Sequence, residues 1–175
     1  MVTAKDIEIV VKLSLMWKED ATMENEEAVR IDRASPDDAP GLVSTYEWLF
    51  APPGSRPAGW EPDNAAEVLA RVSASESSTV LVAREGERVV GVCTVYLDIE
   101  SVRFGRRAWV EDLMVDSERR SRGVGKRLLD AAKNWARERG ASHLELDSGE
   151  ARVDAHRFYE REGAATRSIS FHWEL

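Results

Sequence analysis

The residues with the clearest chemical pattern lie between positions 120 and 126, directly after an apolar, strand-like segment. Gly123 and Gly125 stand one residue apart and open a segment with helical periodicity. Glycine lets the backbone bend and approach a ligand closely. The first amides of a helix have no intrahelical partner and carry the positive end of the helix dipole. This pattern predicts an anion site suited to a pyrophosphate, with added charge from Arg120, Arg122 and Lys126.

Other common chemical motifs are absent from the sequence. Neither G-x-G-x-x-G nor G-x-x-x-x-G-K-[ST] occurs, which argues against a dinucleotide fingerprint and a Walker loop. The three histidines, His143, His156 and His172, are too far apart for metal-ligand spacing. Cys93 is the single cysteine, so neither a disulfide framework nor a cysteine-based zinc site is expected. The sequence therefore predicts no metal site.

Composition limits the class of protein further. The chain has 175 residues and a formal net charge of -8. That length fits one ordinary domain with a sizeable core. Nucleic-acid affinity requires clustered Lys and Arg to neutralise phosphates, and the acidic balance argues against it. No apolar run approaches the ~20 residues of a membrane-spanning helix, and no signal peptide is recognisable. We expect a cytoplasmic protein without nucleic-acid or membrane partners.

Hydrophobic periodicity predicts the elements that must position the glycine-rich segment. Residues 1–27 read as an extension, helical over much of its length, ahead of a domain at 28–175. Alternating apolar residues predict strands, and apolar residues spaced three and four apart predict helices. The expected strands are 28–34, 79–84, 88–97, 108–115, 142–146 and 165–173, and the expected helices are 36–50, 64–73, 125–139 and 154–162.

With this loop and this element order, the chain resembles the GNAT superfamily of N-acyltransferases. The family's coenzyme A loop reads R/Q-x-x-G-x-G/A, and Arg120-Ser121-Arg122-Gly123-Val124-Gly125 matches every fixed position. The element order matches from about residue 28 onward. The resemblance implies a mixed α/β fold with a mostly antiparallel sheet of about six to seven strands and about four flanking helices. It also implies that the sheet splays between the strands at 108–115 and 142–147.

The resemblance further implies acetyl-CoA as the acyl donor and assigns residues to it. Backbone groups of Leu113, Met114 and Val115 would contact pantetheine. The pyrophosphate would be held by Arg120, Ser121, Arg122, Gly123, Val124, Gly125 and Lys126. A second block runs from Asp154 to Gly163 and adds Asp154 and Arg157, although Asp154 replaces the family's usual asparagine and Ala164 its usual aromatic residue. The amino-acid sequence of residues 155–159 is most similar to that of aminoalkylphosphonate acetyltransferases and some aminoglycoside acetyltransferases.

The reaction implied by the resemblance needs a base for the amine and a proton donor for the departing thiolate. The resemblance assigns proton donation to Tyr159, which could alternatively be a core aromatic residue. Glu111 is a candidate base and Asp112 competes with it, because strict alternation would let only one of them face the cleft. Either carboxylate could instead pair with Arg106 or Arg107. A bulge that freed the amide of Met114 would let it polarise the thioester carbonyl.

The acceptor is less constrained than the donor. Acidic residues around the expected cleft favour a cationic amine. The proline-rich loop at 50–60 is expected to cover the acceptor, lined by Tyr46 and Trp60, with Asp112 and Ser148 as further contacts; ordinary packing is the alternative. A small-molecule primary amine is the preferred acceptor. A protein lysine or N-terminus, a non-catalytic acyl-CoA-binding module and a homodimer all remain compatible with the sequence.

Overall fold

The computed structural model describes residues 28–171 and residue 173, so the predicted extension at 1–27 lies outside the described residues. Five strands and five α-helices follow one another along the described chain. The strands are β1 (Arg30–Arg33), β2 (Ser78–Glu85), β3 (Arg88–Leu97), β4 (Arg107–Val115) and β5 (His143–Glu145). The helices are α1 (Ala39–Leu42), α2 (Glu47–Phe50), α3 (Pro62–Ala74), α4 (Val124–Glu138) and α5 (Val153–Arg161).

The strands form one sheet in the order β1-β2-β3-β4-β5. The first four are antiparallel neighbours, and β5 runs parallel to β4. The β4–β5 pairing extends only from Arg107 opposite His143 to Trp109 opposite Glu145. Because β4 continues to Val115 beyond the end of β5, the two strands part and leave a gap at that end of the sheet. This gap is the predicted splay, and the mixed α/β fold class is confirmed.

Helices cover both faces of the sheet, as the sequence periodicities require. The apolar stripe of α4 packs on one face and buries Val124, Leu128, Ala132 and Trp135 against Leu81, Cys93, Val95 and Val110. On the other face Leu42 of α1 and Leu69 of α3 pack against Val80, Val82, Val92 and Met114. Successive strand residues therefore pack into two separate cores, one on each face of the sheet. Packing in these cores fixes the positions of the end of β4 and of α4.

The helix predicted at 36–50 is wrong as a single element. The chain instead forms a 3-10 turn at Pro36–Asp38, α1, a second 3-10 turn at Val43–Tyr46, and α2. Pro40 has no amide to donate a backbone hydrogen bond, and it lies in the first turn of α1, where proline is tolerated. The hydroxyl of Thr45 donates to the Leu42 carbonyl at 2.6 Å, which competes with regular helical bonding.

The strand predicted at 165–173 is wrong over its described residues 165–171, which join no ladder. The alternation of Ile169, Phe171 and Trp173 with polar residues is typical of a strand, yet these three side chains are 82%, 76% and 78% exposed. A strand needs a neighbouring edge, and β5 offers only three residues. The described sheet therefore has five strands instead of six or seven. In the same described portion, no helix combines the length and apolarity needed to cross a bilayer.

Candidate active site

The site begins at the turn that leaves β4. Asp116 follows β4 and caps a 3-10 turn at Ser117–Arg119, accepting a hydrogen bond from the Glu118 amide at 3.0 Å. It also accepts one from the Arg88 guanidinium at 2.7 Å. Burial alone would raise the pKa of Asp116, but the Glu118 amide and Arg88 outweigh it and lower that pKa. An ionised carboxylate therefore anchors the chain just before the glycine-rich segment.

The segment that follows forms a cradle of backbone amides. Ser121 has φ 62° and Gly123 has φ 81°, a left-handed conformation that glycine adopts without steric cost. Gly123 is the N-cap of α4 and supplies no side-chain cap. The first backbone bond into the helix runs from the Arg127 amide to the Gly123 carbonyl at 3.0 Å. Within residues 28–171 the amides of Val124, Gly125 and Lys126 donate to no protein group, so they can converge on an anion.

Part of the positive side-chain charge around this cradle is already neutralised by ion pairs within the protein. The Lys126 ammonium lies 2.8 Å from Asp130 and 3.2 Å from Glu162. Two carboxylates therefore already neutralise the cation that the sequence assigned to the pyrophosphate. Arg120 and Arg122 are exposed beside the cradle. The amides of the first α4 turn add the positive end of the helix dipole at the same place.

The backbone of β4 borders the gap in the sheet. The Asp116 amide donates to the Val90 carbonyl of β3 at 3.0 Å. Amides two residues apart in a strand point the same way, so Met114, which stands opposite Val92, also directs its amide toward β3. Leu113 and Val115 direct theirs to the other side, into the gap beyond the end of β5. These two residues present the free backbone groups, and the expected role of the Met114 amide at the thioester is wrong.

A bulge does occur in β4, but at Glu111. Thr94 pairs with Asp112 and Val95 pairs with Val110, which leaves Glu111 without a partner in the ladder. Strict alternation would place Val110 and Asp112 on one face. Instead Val110 packs beneath α4, and Asp112 bonds to Tyr46 on the opposite side. Alternation therefore does not separate Glu111 from Asp112, contrary to the sequence-based expectation.

Asp112 is tied into the protein. It accepts hydrogen bonds from the Tyr46 hydroxyl at 2.8 Å and from the Thr94 hydroxyl at 3.1 Å. Burial raises the pKa of Asp112, and these two hydrogen bonds oppose that rise. Burial, followed by the charge of Asp112, raises the pKa of Tyr46. Tyr46 and Asp112 thus satisfy each other's hydrogen-bonding groups. Glu111 is therefore the carboxylate that is more available to a substrate.

Glu111 is exposed at the bulge, although its carboxyl is partly desolvated. This desolvation, followed by the negative charges of Asp112 and Asp147, raises the pKa of Glu111. The alternative ion pairs do not form, because Arg107 bonds to Asp98 and Glu145, and Arg106 donates to the Arg139 carbonyl. A carboxylate with a raised pKa and no cationic partner among the described residues suits a general base.

Tyr159 lies on α5, next to the start of α4. Its ring is 5.3 Å from that of Phe158, and a β-carbon placed on Gly125 would lie 3.5 Å from the Phe158 ring. Within the described residues the Tyr159 hydroxyl forms no hydrogen bond. Burial raises the pKa of Tyr159 to about 12, Cys93 adds to this effect, and Arg152 opposes it. The hydroxyl is therefore protonated and unengaged.

An aromatic cluster lies on the acceptor side of the site. Trp60 packs 5.1 Å from Tyr46 and 4.7 Å from Phe50, measured between ring centroids. Tyr46 and Trp60 border a cavity of about 200 Å³ between the 51–60 loop and α3. The structure thus brings Tyr46, Trp60 and Asp112 together. Ser148 is not part of this cluster, and its buried hydroxyl has no partner in the described chain.

The remaining predicted cofactor residues lie on the outside of α5. Asp154 and Arg157 are 3.4 Å apart, and their side chains are 99% and 72% exposed. Sequence reasoning missed two other residues, Asp147 and Arg152, because each acts through a tertiary neighbour. Arg152 had one detectable signal, because it is a cationic residue just before the predicted helix that carries Tyr159. No metal-binding group of three His, Cys, Asp or Glu side chains occurs in the described ranges.

The family of the chain follows from a match of the acetyltransferase (GNAT) family model to residues 42–164. This match covers well over half of the sequence, and the chain belongs to that family. The predicted resemblance and transferase class are thereby confirmed.

Individual relatives agree with this assignment. The N-acetyltransferase YhdJ of Bacillus subtilis (strain 168), itself uncharacterized, is 48% identical over 59 residues, 34% of this chain and 42% of YhdJ. The aminoalkylphosphonate N-acetyltransferase of Salmonella typhimurium (strain LT2) is 36% identical over 83 residues, 47% of this chain and 53% of that protein. The chain thus spans about half the length of these two relatives. The aminoglycoside N-acetyltransferase AAC(6')-Iy, solved in complex with CoA, superposes with a TM-score of 0.72 at 15% identity over 83% of this chain and 94% of its own, which shows the shared fold.

Proposed function

We propose that this protein transfers an acetyl group from acetyl-CoA to a primary amine of a cationic small molecule, by direct attack in a ternary complex. The observation that carries the proposal is the uncapped start of α4, whose free amides lie beside the gap between β4 and β5. A helix start of this kind binds a pyrophosphate through N–H groups and dipole together. The free backbone edge of Leu113 and Val115 suits the amide-containing pantetheine arm.

Acetyl-CoA would supply an activated thioester, and residues of this chain would handle the protons. Glu111 would accept a proton from the ammonium group of the acceptor, directly or through a water molecule. The amine nitrogen would then form a bond to the acetyl carbon as the carbon–sulfur bond breaks. The nitrogen would lose its second proton to water, which balances the proton that Tyr159 later regains. Tyr159 would donate its hydroxyl proton to the departing sulfur. The products are an N-acetylated amine, coenzyme A as the free thiol, and one proton released through Glu111.

The charge distribution favours a cationic acceptor. Glu111 and Asp147 act together on the Tyr96 hydroxyl, whose pKa is raised first by its burial and then by Glu111, Asp98 and Asp147. These carboxylates therefore lie near one another beside β4. Three arginines could have formed a basic pocket for a phosphonate, but each has a partner in the structure. Arg107 is paired with Asp98 and Glu145, Arg106 donates to the Arg139 carbonyl, and Arg103 stacks on the Phe104 ring. A polyamine or an aminoglycoside fits this charge distribution better than an aminophosphonate.

We further propose that the enzyme is cytoplasmic, forms a homodimer and binds neither nucleic acid nor a membrane. A protein amine as acceptor is the second candidate, because the exposed bulge at Glu111 could also receive an extended chain. A non-catalytic acyl-CoA-binding module is disfavoured by the free hydroxyl of Tyr159 and the unpaired carboxylate of Glu111.

The test has two stages. Calorimetry with acetyl-CoA should show binding, whereas its absence would end the proposal. A panel containing spermidine, tobramycin, an aminoalkylphosphonate and a lysine peptide would then be screened by release of free thiol. We expect spermidine or tobramycin to react fastest. Selective turnover of the peptide would favour the second candidate, and binding without turnover of any amine would favour the non-catalytic module.

A further inference from the structure

Arg152 connects two parts of the site that are far apart in the sequence. It immediately precedes α5, and its own amide donates to the Gly149 carbonyl at 2.9 Å. Its guanidinium donates to the carbonyl of Leu49 in α2 at 2.9 Å. Leu49 lies directly before the loop at 51–60, which borders the aromatic cluster. One side chain thus links the start of the tyrosine-bearing helix to the base of the acceptor loop.

The loop packs tightly against this guanidinium. A β-carbon on Gly54 would lie 2.1 Å from the Leu49 carbonyl oxygen and 2.5 Å from an Arg152 nitrogen. Such distances are far below van der Waals contact, so position 54 must be glycine for the loop to sit where it does. The guanidinium is therefore bonded to the Leu49 carbonyl, and the loop at position 54 leaves no room for a side chain beside it.

Arg152 is the N-cap residue of α5, and its own backbone is not helical (φ −85°, ψ 53°). The seven residues from Arg152 to Tyr159 span about two helical turns. Long side chains in helices point back toward the N-terminus, which directs the Tyr159 hydroxyl toward Arg152. Burial and Cys93 both raise the pKa of Tyr159, and Arg152 is the group that lowers it.

We propose that Arg152 is a positioning residue that links the packed position of the 51–60 loop to proton donation by Tyr159. This inference rests on the proposed function, in which Tyr159 protonates the departing thiolate. In that step the O–H bond of Tyr159 breaks, an S–H bond forms on coenzyme A, and a phenolate remains. Water returns a proton to the phenolate before the next turnover.

The chemistry explains why a fixed cation is needed. A thiol has an ordinary pKa of about 8.5, whereas that of Tyr159 is about 12. This pKa already includes the lowering effect of Arg152, so moving a proton from the phenol to the thiolate would be still less favourable without a cation near the phenolate. A guanidinium remains charged at every working pH and can supply this stabilisation. Because the loop at 51–60 holds Arg152 in place, an acceptor that packs this loop against the site also fixes the cation that stabilises the Tyr159 phenolate.

The first test addresses the link to the loop and needs no acceptor. Hydrogen exchange of the peptide covering residues 50–60 would be measured for Arg152→Gln and for Arg161→Gln. Arg161 lies on the same helix with its side chain 68% exposed, and it makes no contact with the loop. We expect faster exchange in Arg152→Gln only. Unchanged exchange in Arg152→Gln would overturn the link.

The second test addresses proton donation, with acetyl-CoA and the fastest amine of the panel. Arg152→Gln should lower kcat by about tenfold, equivalent to about one pKa unit, while KM for acetyl-CoA changes little. Arg152→Lys, which keeps the charge but loses the planar fork, should be less affected. Replacing Tyr159 by a fluorotyrosine, whose phenol is more acidic, should restore part of the lost kcat in Arg152→Gln. Loss without such rescue would mean that Arg152 is merely structural, and the proposal would be wrong.

Gly54→Ala provides an independent perturbation, because it displaces the guanidinium without removing its charge. We expect kcat to fall, and combination with Arg152→Gln to add little, since both changes act through one contact. Fully additive effects would contradict a shared mechanism. The proposed function has its own control: if Tyr159→Phe turns over as fast as the unsubstituted protein, the acid assignment fails, whereas transfer activity itself stands.

Discussion

At the scale of single residues, the environment of Glu111 sets the pH range in which the proposed reaction can run. Glu111 must be ionised to accept a proton, so kcat/KM should fall as pH falls through its pKa. Partial desolvation, Asp112 and Asp147 raise that pKa, so the acid limb should lie above that of an ordinary exposed glutamate. Glu111→Gln should lower kcat/KM by about 100-fold, measured by thiol release at saturating acetyl-CoA.

The charge of Asp147 provides a check on the assignment of this acid limb to Glu111. Asp147→Asn removes one negative charge and should therefore lower the pKa of Glu111, which moves the acid limb to lower pH. Glu67→Gln, an exposed change on α3, should leave the limb in place. A limb that stays fixed in Asp147→Asn would assign the titration to another group.

Tyr159 requires the opposite protonation state from Glu111. Its pKa of about 12 keeps the hydroxyl protonated at all working pH values, so it should produce no alkaline limb near neutrality. Tyr159→Phe should bind acetyl-CoA with unchanged affinity and lower kcat by about 10- to 100-fold at saturating acceptor. Weakened acetyl-CoA binding with kcat preserved would instead assign Tyr159 to the binding surface.

At the scale of elements, the start of α4 should determine cofactor affinity. Gly123 and Gly140 lie at opposite ends of α4 with φ of 81° and 76°, and a β-carbon on either would meet no atom within 4 Å. Glutamate at either position should therefore cost a similar left-handed strain, about 1–2 kcal/mol in the free energy of unfolding. Only Gly123→Glu also places a negative charge at the cradle, so it alone should weaken acetyl-CoA binding, on the order of 100-fold.

Urea unfolding and calorimetry on both variants separate these two effects. Similar stability losses with a selective loss of affinity in Gly123→Glu would support the cradle. Equal affinities in the two variants would remove the α4 amides from the binding site.

The same elements show how far the sequence could predict the site. The helix α4 was predictable because its apolar period, its two N-terminal glycines and Gly140 all agree. The division of residues 36–50 into 3-10 turns and short helices was not predicted, because it depends in part on the bond from the Thr45 hydroxyl to the Leu42 carbonyl. The bulge at Glu111 was not predictable, since an unpaired residue exists only relative to the partner strand. Arg152 escaped notice for a similar reason, because its main partner is a carbonyl 103 residues away.

At the scale of the whole molecule, the C-terminal segment leaves an apolar surface uncovered. Ile169, Phe171 and Trp173 are exposed, and the Ser170 hydroxyl bonds to Asp147 at 2.9 Å just beyond β5. This bond places Ser170 near the end of β5, whose outer edge pairs with no further strand in the described sheet. An alternating segment next to a free strand edge can form a ladder with a second copy and bury its apolar side chains there.

We therefore expect the 19.6 kDa chain to sediment as a dimer at micromolar concentration. Phe171→Ser combined with Trp173→Ser should shift it toward the monomer, because burial of these two rings supplies much of the apolar contact. Val102→Ser, an equally exposed apolar position in the β3–β4 loop, should leave the dimer intact. A monomeric unsubstituted protein would show that no second copy covers the segment. Dissociation by Val102→Ser alone would move the interface to the β3–β4 loop, away from the edge of β5.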